Sequence, residues 1–126
     1  MEIRLYYEDT DSGGVVYYAN YLRYLERART EFFRNLGCDV GVLMEKGFLF
    51  VVTHVNLHYH LPARYNDVIK IETIVGEMRK ASFILTHQIF LKKNDALLLD
   101  GQIKMACLGP EGKPRRLPDE MVQVLK

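Results

Sequence analysis

Two hydrophobic periods divide the chain. Over residues 2–7, Ile3, Leu5 and Tyr7 alternate with Glu2, Arg4 and Tyr6, the period-two pattern of a short strand. A polar, glycine-bearing loop runs from Glu8 to Gly14. Residues 17–36 then change to helical period, with Tyr18, Tyr21, Leu22, Leu25, Ala28, Phe32 and Leu36 on one side at spacings of three and four. Arg27 and Glu31 stand one turn apart on the opposite side and are spaced to pair. Gly37 supplies a stop, and residues 39–46 can add a further helical turn.

From Phe48 the pattern reads as long strands: Phe48–Leu61 closed by Pro62, then Asp67–Met78, Ala81–Lys92 and Ala96–Leu108. Arg79-Lys80 and Lys93-Asn94-Asp95 make the joins, and Gly109-Pro110-Glu111-Gly112-Lys113-Pro114 is a turn. The tail from Leu117 reads as a short helix with Pro118 near its first position and acids after it. One long helix followed by long antiparallel strands predicts an α+β layer, and the N-terminal strand would complete its sheet. No repeat, linker or low-complexity segment interrupts it, so residues 1–126 read as a single domain.

Composition narrows the function classes. Hydrophobic residues make up 48% and charged residues 26%, ordinary for a globular domain. A net charge of +1 with no basic stretch interleaved with aromatics argues against nucleic acid as a partner. No apolar run approaches the ~20 residues of a membrane-spanning helix, and Met1-Glu2-Ile3-Arg4 lacks the basic start and apolar core of a signal peptide. Cys38 and Cys107 are far apart and belong to no Cys-x-x-Cys pair, so both read as buried structural thiols. A reduced, cytoplasmic protein is expected.

The chemistry concentrates between Tyr7 and Tyr18. Here Asp9, Asp11, Gly13 and Gly14 lie at the mouth of the predicted helix. A helix N-terminus offers unpaired N–H groups and partial positive charge to an oxygen gaining negative charge. Glycine there permits close approach of a ligand, and a neighbouring carboxylate can attack a carbonyl or activate water. Asp9 and Asp11 are two apart, so in an extended loop they point oppositely and only one faces the helix mouth. Taken alone, an Asp-Thr-Asp-Ser run is also ordinary turn and cap chemistry.

The run Tyr7-x-x-Thr10-Asp11-x-x-Gly14-Val15-Val16-Tyr17-x-x-x-Tyr21, continued by Leu25-Glu26-x-Ala28-Arg29, resembles the 4-hydroxybenzoyl-CoA thioesterase family. Within it the likeness is nearest to the bacterial acyl-CoA thioesterases associated with the Tol-Pal system. It extends through Tyr65-Asn66-Asp67-Val68-Ile69-Lys70-Ile71-Glu72-Thr73 and Glu77-Met78-Arg79-Lys80-Ala81-Ser82-Phe83, covering nearly the whole chain. The resemblance implies the hotdog fold, a curved antiparallel sheet wrapped around one long central helix. It also implies pairing through sheet edges, with active sites at the subunit interface. The implied activity is hydrolysis of an acyl-CoA thioester, with no cofactor and no metal.

By the family pattern Asp11 is the catalytic acid, acting as nucleophile or as general base on water, while Asp9 braces the loop. The backbone N–H of Tyr18 would hold the carbonyl oxygen, with Gly14 and Val15 beside the substrate. Tyr18 itself is a departure, since the Tol-Pal-associated enzymes often carry histidine there; a backbone role survives the exchange and a histidine side-chain role does not. Arg79, Lys80 and Ser82 match the segment that grips the phosphates of coenzyme A, although Ala81 replaces one expected basic contact, and Arg115, Arg116 and Arg64 are weaker alternatives. Without the family, Arg79 and Lys80 are simply a charged hairpin tip.

His54, Asn56, His58 and His60 alternate along one strand and share a face. No acid or thiolate on that strand completes a zinc set, so a polar sheet face is the expected reading. Two rivals to thioesterase chemistry are a hotdog hydratase or dehydratase, and a module that binds acyl-CoA without cleaving it. The first wants a histidine–acid pair near the central helix, and residues 8–37 contain no histidine. The second gains nothing from a carboxylate beside a carbonyl. A dimer is expected as the minimal active unit and a tetramer is favoured, because a single sheet over one helix leaves edges and a face uncovered.

Overall fold

The computed structural model describes residues 1–125. Its elements run β1 (Glu2–Arg4), a 3-10 turn (Tyr7–Asp9), α1 (Asn20–Asn35), α2 (Val40–Glu45), β2 (Leu49–Tyr59), β3 (Val68–Met78), β4 (Ser82–Leu91), β5 (Leu97–Leu108) and α3 (Asp119–Leu125). The five strands form one antiparallel sheet in the order β1-β3-β4-β5-β2. The two strands nearest the N-terminus therefore occupy opposite edges. The expected α+β hotdog architecture is present.

Alternation sets which side chains meet α1. On β4, Phe83, Leu85, His87 and Ile89 are buried while their neighbours are only half-buried. Leu99, Gly101, Ile103, Met105 and Cys107 do the same on β5. Across them α1 lays Tyr21, Tyr24, Leu25, Ala28 and Phe33, all buried. Each such large apolar side chain contributes roughly 1.5–3 kcal/mol through water release. The Asp39 carboxylate starts α2 by accepting from Gly41 N at 2.8 Å and Val42 N at 3.3 Å.

Several expectations from the pattern need correction. The first strand ends at Arg4 rather than Tyr7, because Asp9 Oδ2 accepts from Tyr6 N at 2.8 Å and folds residues 7–9 into a 3-10 turn. The helix starts at Asn20 rather than residue 17, since Tyr17 N is spent on Asp9 O at 3.0 Å and the chain turns through Tyr18 and Ala19 first. Its buried face is rotated from the expected one: Tyr24 and Phe33 are buried, whereas Tyr18, Leu22 and Leu36 are exposed. Glu31 pairs with Arg34, not Arg27.

Strand β2 explains the rotation. Its inward side chains Val52, Val55 and Tyr59 are 46%, 45% and 49% exposed, because β2 extends beyond the cover that α1 provides. Leu22 and Tyr18 lie on the helix flank and remain open likewise. Where β2 joins the sheet, the contact is very close. A Cβ on Gly101 would stand 2.3 Å from Asn56 O and 2.9 Å from Leu57 Cα, so only glycine permits that approach.

Candidate active site

Asp9 organises the loop before α1. Its Oδ2 accepts from Tyr6 N, its Oδ1 from Tyr24 Oη–H at 2.7 Å, and its backbone oxygen from Asn20 Nδ2 at 2.9 Å and Tyr17 N at 3.0 Å. Burial, and then the bond to Asp9, hold the Tyr24 hydroxyl far above the usual tyrosine range, so it stays a donor. Tyr24 and Asn20 were not among the expected site residues. Their helical spacing marks them as core and cap, and only the folded loop shows what they grip.

This bracing leaves Asp11 presented outward. Its Oδ1 accepts from Gly13 N at 2.8 Å, and Oδ2 has no partner among the described residues. Asp11 N donates to Val15 O at 2.9 Å and Gly14 N donates to Asp11 O at 3.0 Å, closing a tight turn. Gly14 completes it at φ 79°, a left-handed conformation with no atom within 4 Å of where a Cβ would stand. Val15 bridges to Arg64 and Val16 N donates to Ala63 O at 2.8 Å, fastening the turn to the segment before β3. The turn is thus rigid on one side and open on the other.

Just beyond it, the amides of Tyr18 and Ala19 donate to no protein acceptor among the described residues. They precede α1 and share its electropositive mouth. Tyr18 is 63% exposed, so its amide rather than its ring is the fixed feature. A cavity of about 290 Å³ opens here, lined by Val15, Val16, Tyr18, Tyr21, Tyr59 and Leu61 among others. The Tyr59 ring meets those of Tyr18 and Tyr21 edge-on at 6.4 and 5.6 Å, and its hydroxyl donates to Tyr18 O at 3.1 Å. One open carboxylate oxygen, two unspent amides and an aromatic recess together suit a polarised carbonyl with an attached acyl group.

Arg79, Lys80 and Ser82 lie elsewhere. Arg79 and Lys80 border a second cavity, about 560 Å³, also lined by Arg116, Leu117 and Asp119, whereas Ser82 is not among its lining residues. Leu117 N donates to Lys80 O at 2.8 Å, which brings Arg116 beside the hairpin. Arg79 Nε donates to Glu77 Oε1 at 2.9 Å, and Ser82 takes part through its backbone, accepting from Arg79 N at 2.8 Å. Arg115 is structural: its guanidinium stacks 3.7 Å from the Phe48 ring centroid and donates to Gly47 O at 2.9 Å. This basic cluster adjoins the Phe33 end of α1, where Phe33 meets Phe83, while Asp11 is at the Asn20 end. With 16 residues between, α1 alone separates them by ~24 Å. One chain does not bring them together.

The histidines of β2 and β4 occupy different surroundings. His54, Asn56 and His58 face away from α1, in register with Lys104, Gln102 and Asp100. His60 Nε2 lies 2.9 Å from Asp100 Oδ2, a histidine–acid pair that spacing did not reveal, and His60 also lines the cavity shared by Tyr18, Tyr21 and Tyr59. No group of three metal-ligating side chains occurs among the described residues. His87 is fully buried, with Nδ1 2.9 Å from Thr73 Oγ1 and Nε2 unpartnered. Burial pushes both cysteine thiols up, leaving neither a ready nucleophile.

Known proteins resemble this chain over nearly its whole length. The chain is 40% identical over 125 residues to the acyl-CoA thioester hydrolase YbgC of Escherichia coli O157:H7, covering 98% of this chain and 92% of that one. It is 43% identical over 97 residues to the acyl-CoA thioesterase YbgC of Helicobacter pylori, covering 77% and 71%. Among solved structures it resembles a hypothetical protein of Aquifex aeolicus, with a TM-score of 0.94, 28% identity and coverage of 100% and 98%. A DHNA-CoA thioesterase of Staphylococcus aureus gives 0.89 and 29%, covering 93% and 78%. The model of the thioesterase-like superfamily matches residues 6–125, and the chain belongs to that family.

Proposed function

We propose that this protein hydrolyses the thioester of an acyl-coenzyme A to the free acid and coenzyme A. The observation that carries the reading is Asp11, one oxygen tethered to Gly13 N and the other open, in the turn that leads to the unspent amides of Tyr18 and Ala19. Full-length similarity to acyl-CoA thioester hydrolases supports the substrate class. The thioester carbonyl oxygen would accept from Tyr18 N, with Gly14 and Val15 flanking it. Such a donor contributes ~3 kcal/mol when it meets the oxyanion rather than the ground-state carbonyl. Asp11 then attacks the carbon to form a mixed anhydride, or takes a proton from an attacking water. The thiolate of coenzyme A leaves in either case.

Arg79, Lys80 and Arg116 would hold the nucleotide phosphates through charge-assisted bonds. Because they lie a helix length from Asp11 in one chain, the working site needs a second copy. The free edge of β2 and its exposed Val52, Val55 and Tyr59 suit that copy. Antiparallel β2 pairing about a two-fold axis would bring the partner's basic end towards this chain's Asp11. The minimal unit is therefore a dimer, with a tetramer favoured, working in the cytoplasm.

The test is thiol release from a panel of acyl-CoA thioesters. Asp11→Asn keeps size and the Gly13 bond but loses charge and nucleophilicity, and should lower kcat by roughly 10²-fold or more with KM little changed. Asp9→Asn, at the brace, should be milder. Parent-like turnover in Asp11→Asn would refute the mechanism, and no thiol release by the parent would favour a binding module.

A further inference from the structure

A third cavity, about 200 Å³, lies between the second half of α1, α2, α3 and the sheet, and shares no residue with the one beside Asp11. Its lining is mixed: Phe33, Phe50, Phe83, Met105 and Met121 are apolar, and Glu26 and Thr30 are polar. Arg29 borders it and is only partly exposed, yet its guanidinium makes no hydrogen bond or salt bridge among the described residues. A guanidinium presents five donors and is charged at all working pH values. Half-buried beside this space, it touches no anion directly among the described residues, although Glu26 acts on it through space. The nearest candidate, Glu26, is exposed at the rim, accepts from Thr30, and reaches no guanidinium nitrogen.

We propose that this cavity binds a medium-chain monocarboxylate, its carboxylate on Arg29 and its alkyl chain against Phe33, Phe50 and Met105. The planar fork of the guanidinium matches a carboxylate in two-point contact. At the ~30 Å³ that one water-sized group occupies, 200 Å³ holds roughly seven such groups, close to the eight non-hydrogen atoms of a six-carbon acid. Arg29 is nine residues along α1 from Asn20, ~14 Å from the helix mouth. The site is therefore separate from the reaction centre. An acid of this kind is what thioester hydrolysis releases, so occupancy would report product; that link, unlike the binding, rests on the proposed activity.

The experiment is calorimetric titration of the full chain with sodium hexanoate, with 1-hexanol as the uncharged probe of equal length. Hexanoate should saturate one site per chain with a dissociation constant on the order of millimolar, as its few atoms allow. Arg29→Gln should weaken hexanoate by at least about tenfold while leaving hexanol unchanged, the loss of one charge-assisted contact. Glu26→Gln should tighten hexanoate. Met44→Trp, at an exposed position on the rim, should block both probes without touching the core, and keeps the test decisive if Arg29→Gln fails to fold. Asp11→Asn should bind hexanoate like the parent, whatever happens to hydrolysis. The proposal is overturned if the parent shows no saturable binding. It is equally overturned if Met44→Trp binds normally, or if binding disappears in Asp11→Asn, which would place the acid at the reaction centre.

Discussion

At the scale of single residues, two polar side chains play opposite parts. Asp9 is satisfied on both carboxylate oxygens, by Tyr6 N and Tyr24, and so fixes the loop. His87 is fully buried with one nitrogen unpartnered, and its pKa is lowered to about 4, first by burial and then by Arg29. A histidine whose folded pKa lies below its unfolded 6.5 takes up its proton more readily when unfolded. Its stability contribution is thus complete above about pH 6.5 and lost as pH falls towards 4, up to roughly 3 kcal/mol. Urea unfolding of parent and His87→Gln between pH 7.5 and 4.5 should show a steeper loss for the parent. Parallel curves would mean that His87 is not the proton-linked group.

At the scale of elements, the seam between β2 and β5 is the most tightly specified contact. Ala at 101 would place its Cβ 2.3 Å from a backbone oxygen and 2.9 Å from a backbone carbon of β2, neither of which can move without opening the ladder. We expect Gly101→Ala to cost at least about 2 kcal/mol by overpacking. Gly109→Ala has only ordinary contacts at 3.8 and 3.9 Å and a permitted backbone, and should fall within about 0.5 kcal/mol of the parent. Thermal unfolding of the pair separates the two effects. Because β2 is also an edge strand and carries the exposed Val52, Val55 and Tyr59, loosening this seam should also weaken the proposed dimer.

At the scale of the molecule, the separation of Asp11 from Arg79, Lys80 and Arg116 gives a test of shared sites. Asp11→Asn and a triple Arg79→Ala, Lys80→Ala, Arg116→Ala variant should each hydrolyse acyl-CoA poorly, the second mainly through KM. If one chain supplies the acid and another the phosphate grip, mixing the two variants through unfolding and reassembly restores about a quarter of parental activity, from one intact site in each mixed dimer. No recovery would mean that each chain serves its own substrate. An active monomer in sedimentation at assay concentration would exclude sharing altogether.

Much of this was legible without coordinates. Period-two and helical patterns located every long element to within a few residues, because burial of alternate or every third and fourth side chain is a local property of the chain. Gly13 and Gly14 stood out as residues that permit close approach at a predicted helix start, and Asp11 through the family pattern. The spiral position of the buried stripe on α1 was not legible: Tyr24 and Phe33 replace Tyr18, Leu22 and Leu36 because the sheet's β2 side is left uncovered, which depends on strand order. Likewise Thr73, Arg29 and His87 converge from three separate elements, and Arg116 reaches Lys80 only through the backbone bond from Leu117. Local periodicity determines which residues turn inward; which of them meet, and which charge is left without a partner, is decided by pairings between distant segments that only the closed sheet creates.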